Sequence, residues 1–145
     1  YQTCLLNVQK RDKILEVGTG SGYQAAILAL LGARVYTVER QELLHKRAKK
    51  LLRQLEVGNV RCFFRDGYKG LPEFAPFDKI IVTAGAPEVP KALKDQLKVG
   101  ERIVISVGKK KKKMLCIDRL SETEYEARKM ANFRFVPFLK GLEED

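Results

Sequence analysis

Apolar residues fall into two alternating rhythms along this chain. Short runs dense in β-branched and aromatic residues are followed by longer segments whose apolar positions recur every three or four residues. Lys13–Val17 (KILEV), Arg34–Glu39 (RVYTVE), Val60–Phe64 (VRCFF), Phe77–Thr83 (FDKIIVT) and Arg102–Val107 (RIVISV) read as strands. Between them, Tyr23–Leu31 reads as an alanine-rich helix stopped by Gly32. Gln41–Leu55 is amphipathic, with Leu43, Leu44, Ala48, Leu51, Leu52 and Leu55 at helical spacing, and Val89–Lys98 is a helix with Pro90 in its first turn. Strands alternating with helices build a parallel sheet with crossover helices. The unbroken Ile80-Ile81-Val82 predicts a fourth strand buried on both faces.

After the fifth strand the alternation stops. Met114–Leu120 reads as a strand only a few residues downstream, too soon for a parallel crossover, so it should run antiparallel. Ser121–Glu124 is a turn, Tyr125–Ala131 returns as a seventh strand, and Phe133–Leu139 (FRFVPFL) is an apolar tail expected to pack back on the fold. The expectation is an α/β fold, mostly parallel with an antiparallel C-terminal hairpin, in one domain spanning residues 1–145. With 45% hydrophobic residues the chain has enough apolar material for a core, and no apolar run approaches the ~20 residues of a membrane span. No membrane partner is therefore expected. No basic-then-apolar leader opens the chain, which starts at Tyr1 and not at Met, leaving room for sequence upstream.

Charge refines the picture. Lys and Arg number 28 against 18 Asp and Glu, a net of +10, and two segments hold the whole excess. Arg40–Arg53 carries six basic residues and one acid, Glu42, and Lys109–Lys113 carries five lysines. The plain reading is a solvated helix face and a solvated loop; the sharper one is an anionic partner, nucleic acid or an acidic peptide. The three cysteines, Cys4, Cys62 and Cys116, lack metal-ligand spacing, so no metal is expected. Cys62 and Cys116 sit in apolar stretches and are expected to be buried thiols of a reducing, cytoplasmic compartment. His45 is expected at the surface.

The stretch richest in chemistry is Glu16-Val17-Gly18-Thr19-Gly20-Ser21-Gly22, which leaves a strand and enters a helix. Glycines there let the backbone turn sharply and approach a ligand. A dinucleotide GxGxxG from Gly18 would need glycine where Tyr23 stands, and a phosphate-binding P-loop would need a lysine that the loop lacks. What remains, ExGxGxG, resembles the first motif of Rossmann-like S-adenosylmethionine methyltransferases. Two further acids follow strand ends in series. Glu39 closes the second strand, where a carboxylate accepts hydrogen bonds from ribose hydroxyls. Asp66-Gly67 follows the third, where this fold class sets an acid against the adenine amino group.

Methyl transfer from a sulfonium needs positioning and exclusion of water, and it needs a base only if the acceptor must lose a proton. After the fourth strand the chain reads Thr83-Ala84-Gly85-Ala86-Pro87, without the Asn/Asp-Pro-Pro-Tyr/Phe of amino-nitrogen methyltransferases or the Pro-Cys of cytosine C5 enzymes. Such a small, chargeless loop suits an acceptor already ionised, such as a carboxylate, and no general base is expected.

Five stretches together, LEVGTGSGYQAA (Leu15–Ala26), VYTVER (Val35–Arg40), RDGYKGLPEFAPFDKIIVTAGAPEVP (Arg65–Pro90), LKVGERIVISVG (Leu97–Gly108) and FRFVPF (Phe133–Phe138), closely resemble the protein-L-isoaspartate O-methyltransferase family. The resemblance implies a seven-stranded, doubly wound Rossmann-like sheet and the cofactor S-adenosylmethionine. It implies methyl transfer to the α-carboxylate of L-isoaspartyl residues in damaged proteins and peptides. Those peptides and proteins would be the partners, with nucleic acid disfavoured and a monomer expected. Cofactor contacts are implied for Glu16, Gly18, Thr19, Gly20, Ser21, Gly22, Glu39, Arg40, Asp66 and Gly67. Peptide contacts are implied for Thr83, Ala84, Gly85, Ala86, Val136 and Pro137. The chain departs from the family pattern at Cys4 (usually Glu), Arg65 (commonly Gly), Glu101 (Gly) and Ser106 (Pro), and an upstream Gly-Gln-Thr-Ile-Ser-like motif is absent from these residues. Arg65 stands beside the adenine position, and Lys109–Lys113 leaves the sheet edge where the site lies; if one basic patch serves function it is this one, as an attractor for acidic peptides, and otherwise it is a solvated loop. Two rivals remain: a basic RNA or DNA methyltransferase, and a truncated domain that binds S-adenosylmethionine without turnover.

Overall fold

Why the strand-like runs become one sheet is visible in how their alternate residues are buried. A computed structural model of the chain describes residues 3–86, 88–107, 113–130 and 132–136. In chain order the elements are β1 (Thr3–Leu6), β2 (Lys13–Val17), α1 (Tyr23–Leu30), β3 (Arg34–Glu39), α2 (Glu42–Gln54), β4 (Val60–Phe64), two single 3-10 turns (Gly67–Lys69 and Pro72–Phe74), β5 (Phe77–Ala86), α3 (Lys91–Asp95), β6 (Leu97–Val107), β7 (Lys113–Arg119), β8 (Tyr125–Met130) and β9 (Asn132–Phe135). Seven strands form a sheet in the order β4-β3-β2-β5-β6-β7-β8. The pairs from β4 to β6 are parallel, and β6–β7 and β7–β8 are antiparallel, as expected from the short gap after the fifth strand. This is the expected Rossmann-like methyltransferase sheet.

Each central strand sends alternate residues to opposite faces. Ile14, Val35, Ile81 and Val104 pack with Ala25 and Leu28 of α1. Leu15, Val38, Ile80, Val82, Ile103 and Ile105 pack with Leu93 and Leu97 on the other side. Burying Ile80 and Ile81 on opposite faces explains the unbroken apolar run in β5. The α2 residues Ala48 and Leu52 are buried, whereas Arg40, Lys46, Arg47, Lys49, Lys50 and Arg53 are exposed, so this part of the charge excess is a solvated face. His45 is half-buried, its ring stacked on Phe64 with centroids 5.8 Å apart.

Three expectations change. The helix expected over Val89–Lys98 spans only Lys91–Asp95. Leu97 keeps helical spacing from Leu93, but it belongs to β6, opposite Phe77, and the Phe77 N–H donates to Gln96 O at 2.8 Å. The tail beginning at Phe133 contributes a strand, β9, paired in parallel with β1 in a separate two-stranded sheet. Finally, Cys116 is not a free thiol: Cys4 and Cys116 are bonded to each other as a disulfide, while Cys62 is free and half-buried. The two bonded cysteines share one core cluster, so burial placed their sulfurs together across 112 residues of sequence. At Glu101 the departure from the family pattern has a structural use, since its carboxylate and that of Asp12 hold the buried Lys79 ammonium at 3.1 and 3.3 Å.

Candidate functional site

The carboxyl ends of β2, β3 and β4 converge with Thr83 of β5 around a cleft of about 250 Å³. Open parallel sheets place their sites at this edge because the loops there leave neighbouring strands in diverging directions. The floor is the glycine loop after β2. Gly22 has φ +88, which a side chain rarely tolerates, and a Cβ there would lie 3.2 Å from Ala48 Cβ, so glycine lets α1 start against α2. Gly18 and Gly20 line the cleft.

Glu39 organises that floor. It ends β3, is almost fully buried, and lines the cleft. Its Oε1 accepts the Gly20 N–H at 3.0 Å and its Oε2 accepts the Gln41 N–H at 3.0 Å. An ionised carboxylate offers about four lone-pair sites, so acceptor capacity remains on both oxygens. Across the cleft, Asp66 Oδ1 accepts the Tyr68 N–H at 3.1 Å, which makes Asp66 the cap of the Gly67–Lys69 turn and a cleft residue at once. Arg40 is the third charged lining residue, and the lining carries one net negative charge. Thr83 Oγ1 donates to Gly18 O at 3.0 Å, with Val17 O at 3.3 Å, and so ties β5 to the loop.

The cleft thus gathers Gly18, Gly20, Glu39, Arg40, Asp66, Gly67 and Thr83 from the expected site residues. It does not gather all of them. Glu16 is buried behind the loop, where Thr37 Oγ1 donates to its Oε1 at 2.6 Å, and Thr19 Oγ1 lies 2.6 Å from Thr37 Oγ1. Burial pushes the Glu16 carboxyl up to about 7, with Glu39 adding to the rise and the Thr37 hydrogen bond opposing it. The Ser21 hydroxyl is exposed and accepts the Tyr23 N–H at 3.3 Å. Ala84, Gly85 and Ala86 continue β5. Val136 donates its N–H to Leu6 O at 3.0 Å, beside β1 and apart from the cleft lining. Pro137, Pro87 and Lys109–Lys112 lie outside the described residues. Arg65 turns away from the cleft and holds Glu73 with both carboxylate oxygens, at 2.7 and 2.9 Å. That pair pulls the Glu73 carboxyl below its usual range.

Sequence reasoning missed Val17, Val38, Gln41, Leu44 and Tyr68, which supply most of the cleft's walls. Val17 was legible inside the glycine motif, Val38 as the residue before Glu39, and Tyr68 as the residue after Asp66-Gly67; no local signal marks Leu44. Gly67 is a packing requirement: a Cβ there would run into Val17 Cγ1. Gly67→Ala is accordingly expected to lower stability by about 2 kcal/mol through overpacking and to weaken ligand binding, read by a thermal melt and by calorimetry.

Chemically, the site suits a ligand with hydroxyls for Glu39, a flat body for the apolar walls and a positive charge. The Gly18–Gly22 loop carries no basic side chain, so it is no polyphosphate cradle. Among the described residues, no group of three or more His, Cys, Asp or Glu is placed to hold a metal, and no helix is long and apolar enough to cross a membrane.

Comparison with known proteins agrees with this geometry. The family model described as protein-L-isoaspartate(D-aspartate) O-methyltransferase matches residues 1–143. The protein-L-isoaspartate O-methyltransferase of Flavobacterium psychrophilum is 54% identical over 140 residues, covering 97% of this chain and 66% of that protein. That of Christiangramia forsetii is likewise 54% identical, with the same coverage. The chain therefore spans slightly less than two thirds of these relatives. Among solved structures, a protein-L-isoaspartate O-methyltransferase superposes with a TM-score of 0.80 at 30% identity, over 90% of this chain and 43% of that one. A Plasmodium falciparum protein, described as a putative protein-L-isoaspartate O-methyltransferase in complex with S-adenosyl-L-homocysteine, superposes with a TM-score of 0.73 at 20% identity, over 89% of this chain and 67% of that one. The second likeness bears on the fold alone.

Proposed function

Because the chain belongs to the protein-L-isoaspartate(D-aspartate) O-methyltransferase family, we propose that it binds S-adenosylmethionine in the cleft and methylates the α-carboxylate of L-isoaspartyl residues in damaged proteins and peptides. The observation that carries this reading is the pair of carboxylates, Glu39 and Asp66, on adjacent strand ends over a glycine loop with no basic side chain. The residues present fit the cofactor. Glu39 keeps lone pairs that would serve two ribose hydroxyls, Asp66 would take the adenine amino group, and Val17, Val38 and Leu44 would give the ring an apolar seat. The lining's net negative charge favours a cationic ligand over an anionic one.

When bound, this cofactor supplies an electrophilic methyl group on a sulfonium with a neutral thioether as leaving group. An isoaspartyl carboxylate is already ionised at neutral pH, so no residue has to take a proton from it. The chain's own task is to hold and to orient. Glu39 fixes the loop through Gly20 and Thr83 ties β5 to Gly18, so the start of the Thr83–Ala86 segment is set against the loop. A backbone-lined, small-residue segment suits peptides of varied sequence. The same reading carries a monomer working as a single domain. The Cys4–Cys116 bond removes the thiol argument for a reducing compartment, so a cytoplasmic location rests on the repair role alone.

The test is methyl transfer from labelled S-adenosylmethionine to a peptide carrying one isoaspartyl residue. A base-labile ester on that peptide, and none on its normal aspartyl isomer, is expected. Binding of the cofactor without label on the isoaspartyl peptide overturns the activity and leaves a binding domain; label on RNA or DNA instead overturns the acceptor.

A further inference from the structure

Behind the glycine loop lies a chain of three buried side chains that the cleft itself does not use. Glu16 and Thr37 stand opposite each other in the β2–β3 pairing and are 1% and 0% exposed. Thr37 Oγ1 donates to Glu16 Oε1 at 2.6 Å. A threonine hydroxyl has one proton, and that of Thr37 is committed to Glu16. With Glu16 ionised, Thr37 has no proton left for its 2.6 Å contact with Thr19, so there Thr19 is the donor. The chain runs Thr19 to Thr37 to Glu16, with every member within a tenth of full burial.

Its outer end is the middle of the loop. Thr19 sits between Gly18 and Gly20, both of which line the cleft, and its carbonyl accepts the Gly22 N–H at 3.0 Å. Glu39 therefore holds the loop from the ligand side through Gly20, and Thr37 holds it from the sheet side through Thr19. The charged surroundings of Glu16 are sparse. The helix packed over this face, α1, has no charged residue. From β3 comes Glu39, and from β4 comes the Cys62 thiol, which Lys49 of α2 also faces.

We propose that Thr37 is a positioning residue for the cleft: it strings Thr19 to Glu16, holding the glycine loop ready for ligand, and holding it more firmly when Glu16 is ionised. Hydrogen bonds that end on a charge are roughly twice as strong as neutral ones. An ionised Glu16 thus strengthens the Thr37 link directly and, by polarising that hydroxyl, the Thr19 link behind it to a smaller degree, and protonation slackens them. Burial holds the carboxyl near neutrality, so both states are reached under ordinary conditions. The inference rests on the reading of the cleft as the S-adenosylmethionine site.

Calorimetric titration with S-adenosylmethionine at about pH 6 and about pH 8.5 tests it, with a thermal melt of each variant. The wild-type chain is expected to bind more tightly at the higher pH. Thr37→Val, which keeps shape and deletes the hydroxyl, is expected to weaken binding about fivefold at the higher pH and about twofold at the lower. Thr37→Ser restores the hydroxyl and is expected to stay within about twofold of wild type. If Thr37→Val melts without a clean transition, Thr19→Val opens the same chain at its loop end and carries the same expectation. Equal affinity of the Val variant and wild type, equal weakening by Val and Ser, or a loss that ignores pH overturns the positioning role while leaving the cofactor assignment intact. A wild-type chain that binds no S-adenosylmethionine at either pH overturns both.

Discussion

Glu39→Ala is expected to cost about a hundredfold in S-adenosylmethionine affinity while the chain stays folded, two hydrogen bonds to a charged acceptor being worth about 3 kcal/mol together. The carboxylate touches both the loop and the ligand space. Removing it takes away the acceptors for two ribose hydroxyls and releases the Gly20 N–H that shapes the floor. The fold survives because Glu39 is the last residue of its strand, and the freed Gly20 and Gln41 donors open towards a cleft that admits water. Glu39→Gln should fall between the two. Its amide oxygen still serves one backbone donor, but its NH₂ meets the other, and no charge remains for the ligand. Calorimetry gives the affinity and circular dichroism with a thermal melt gives the fold. An Ala variant that binds like wild type would sink the assignment of the cleft.

Why Glu39 and Glu16 differ so much was partly legible in the sequence. Glu16 is the next-to-last residue of β2 and Glu39 the last of β3, both beside the same glycine loop. Strand alternation puts them on the same face, and position along the strand separates them. Leu15 and Val17 face one side, so Glu16 must face the other, under α1, while Glu39 stands one rung past Thr37 at the open edge. The five parallel strands were readable because each is an apolar run bounded by turn residues, and parallel order then comes from the helices between them. Where local pattern and long-range pairing conflict, the pattern misleads. Leu93 and Leu97 keep helical spacing, yet Leu97 pairs with Phe77 and shortens α3 to five residues. The β1–β9 pair and the Cys4–Cys116 bond join opposite ends of the chain, and no local window contains both partners. Cys4, Leu6 and Val8 are buried and Leu5 and Asn7 exposed, a strand rhythm that is present at the start of the chain but too short to stand out.

Replacing Glu16 should have the opposite effect on stability from the one usual for a buried acid. Its carboxyl titrates near 7 in the folded chain, against an ordinary 4.5. Between those values the folded chain holds a proton that the unfolded chain has released. Stability therefore falls as pH rises through this window, and above about 7 the full penalty of an ionised, buried carboxylate applies, about 3 kcal/mol. Glu16→Gln carries no charge and still offers an oxygen to the Thr37 hydroxyl. It is expected to match wild type near pH 4.5 and to exceed it by up to about 3 kcal/mol at pH 8, measured by urea unfolding across the range. Parallel profiles for the two proteins would show that Glu16 is not protonated at neutrality. The same substitution removes the charge that tightens the Thr19–Thr37 chain, so the more stable variant should hold S-adenosylmethionine less firmly at pH 8. Stability and affinity then move apart on one residue, because the acid is kept buried at a cost to the fold and to the benefit of the site it supports.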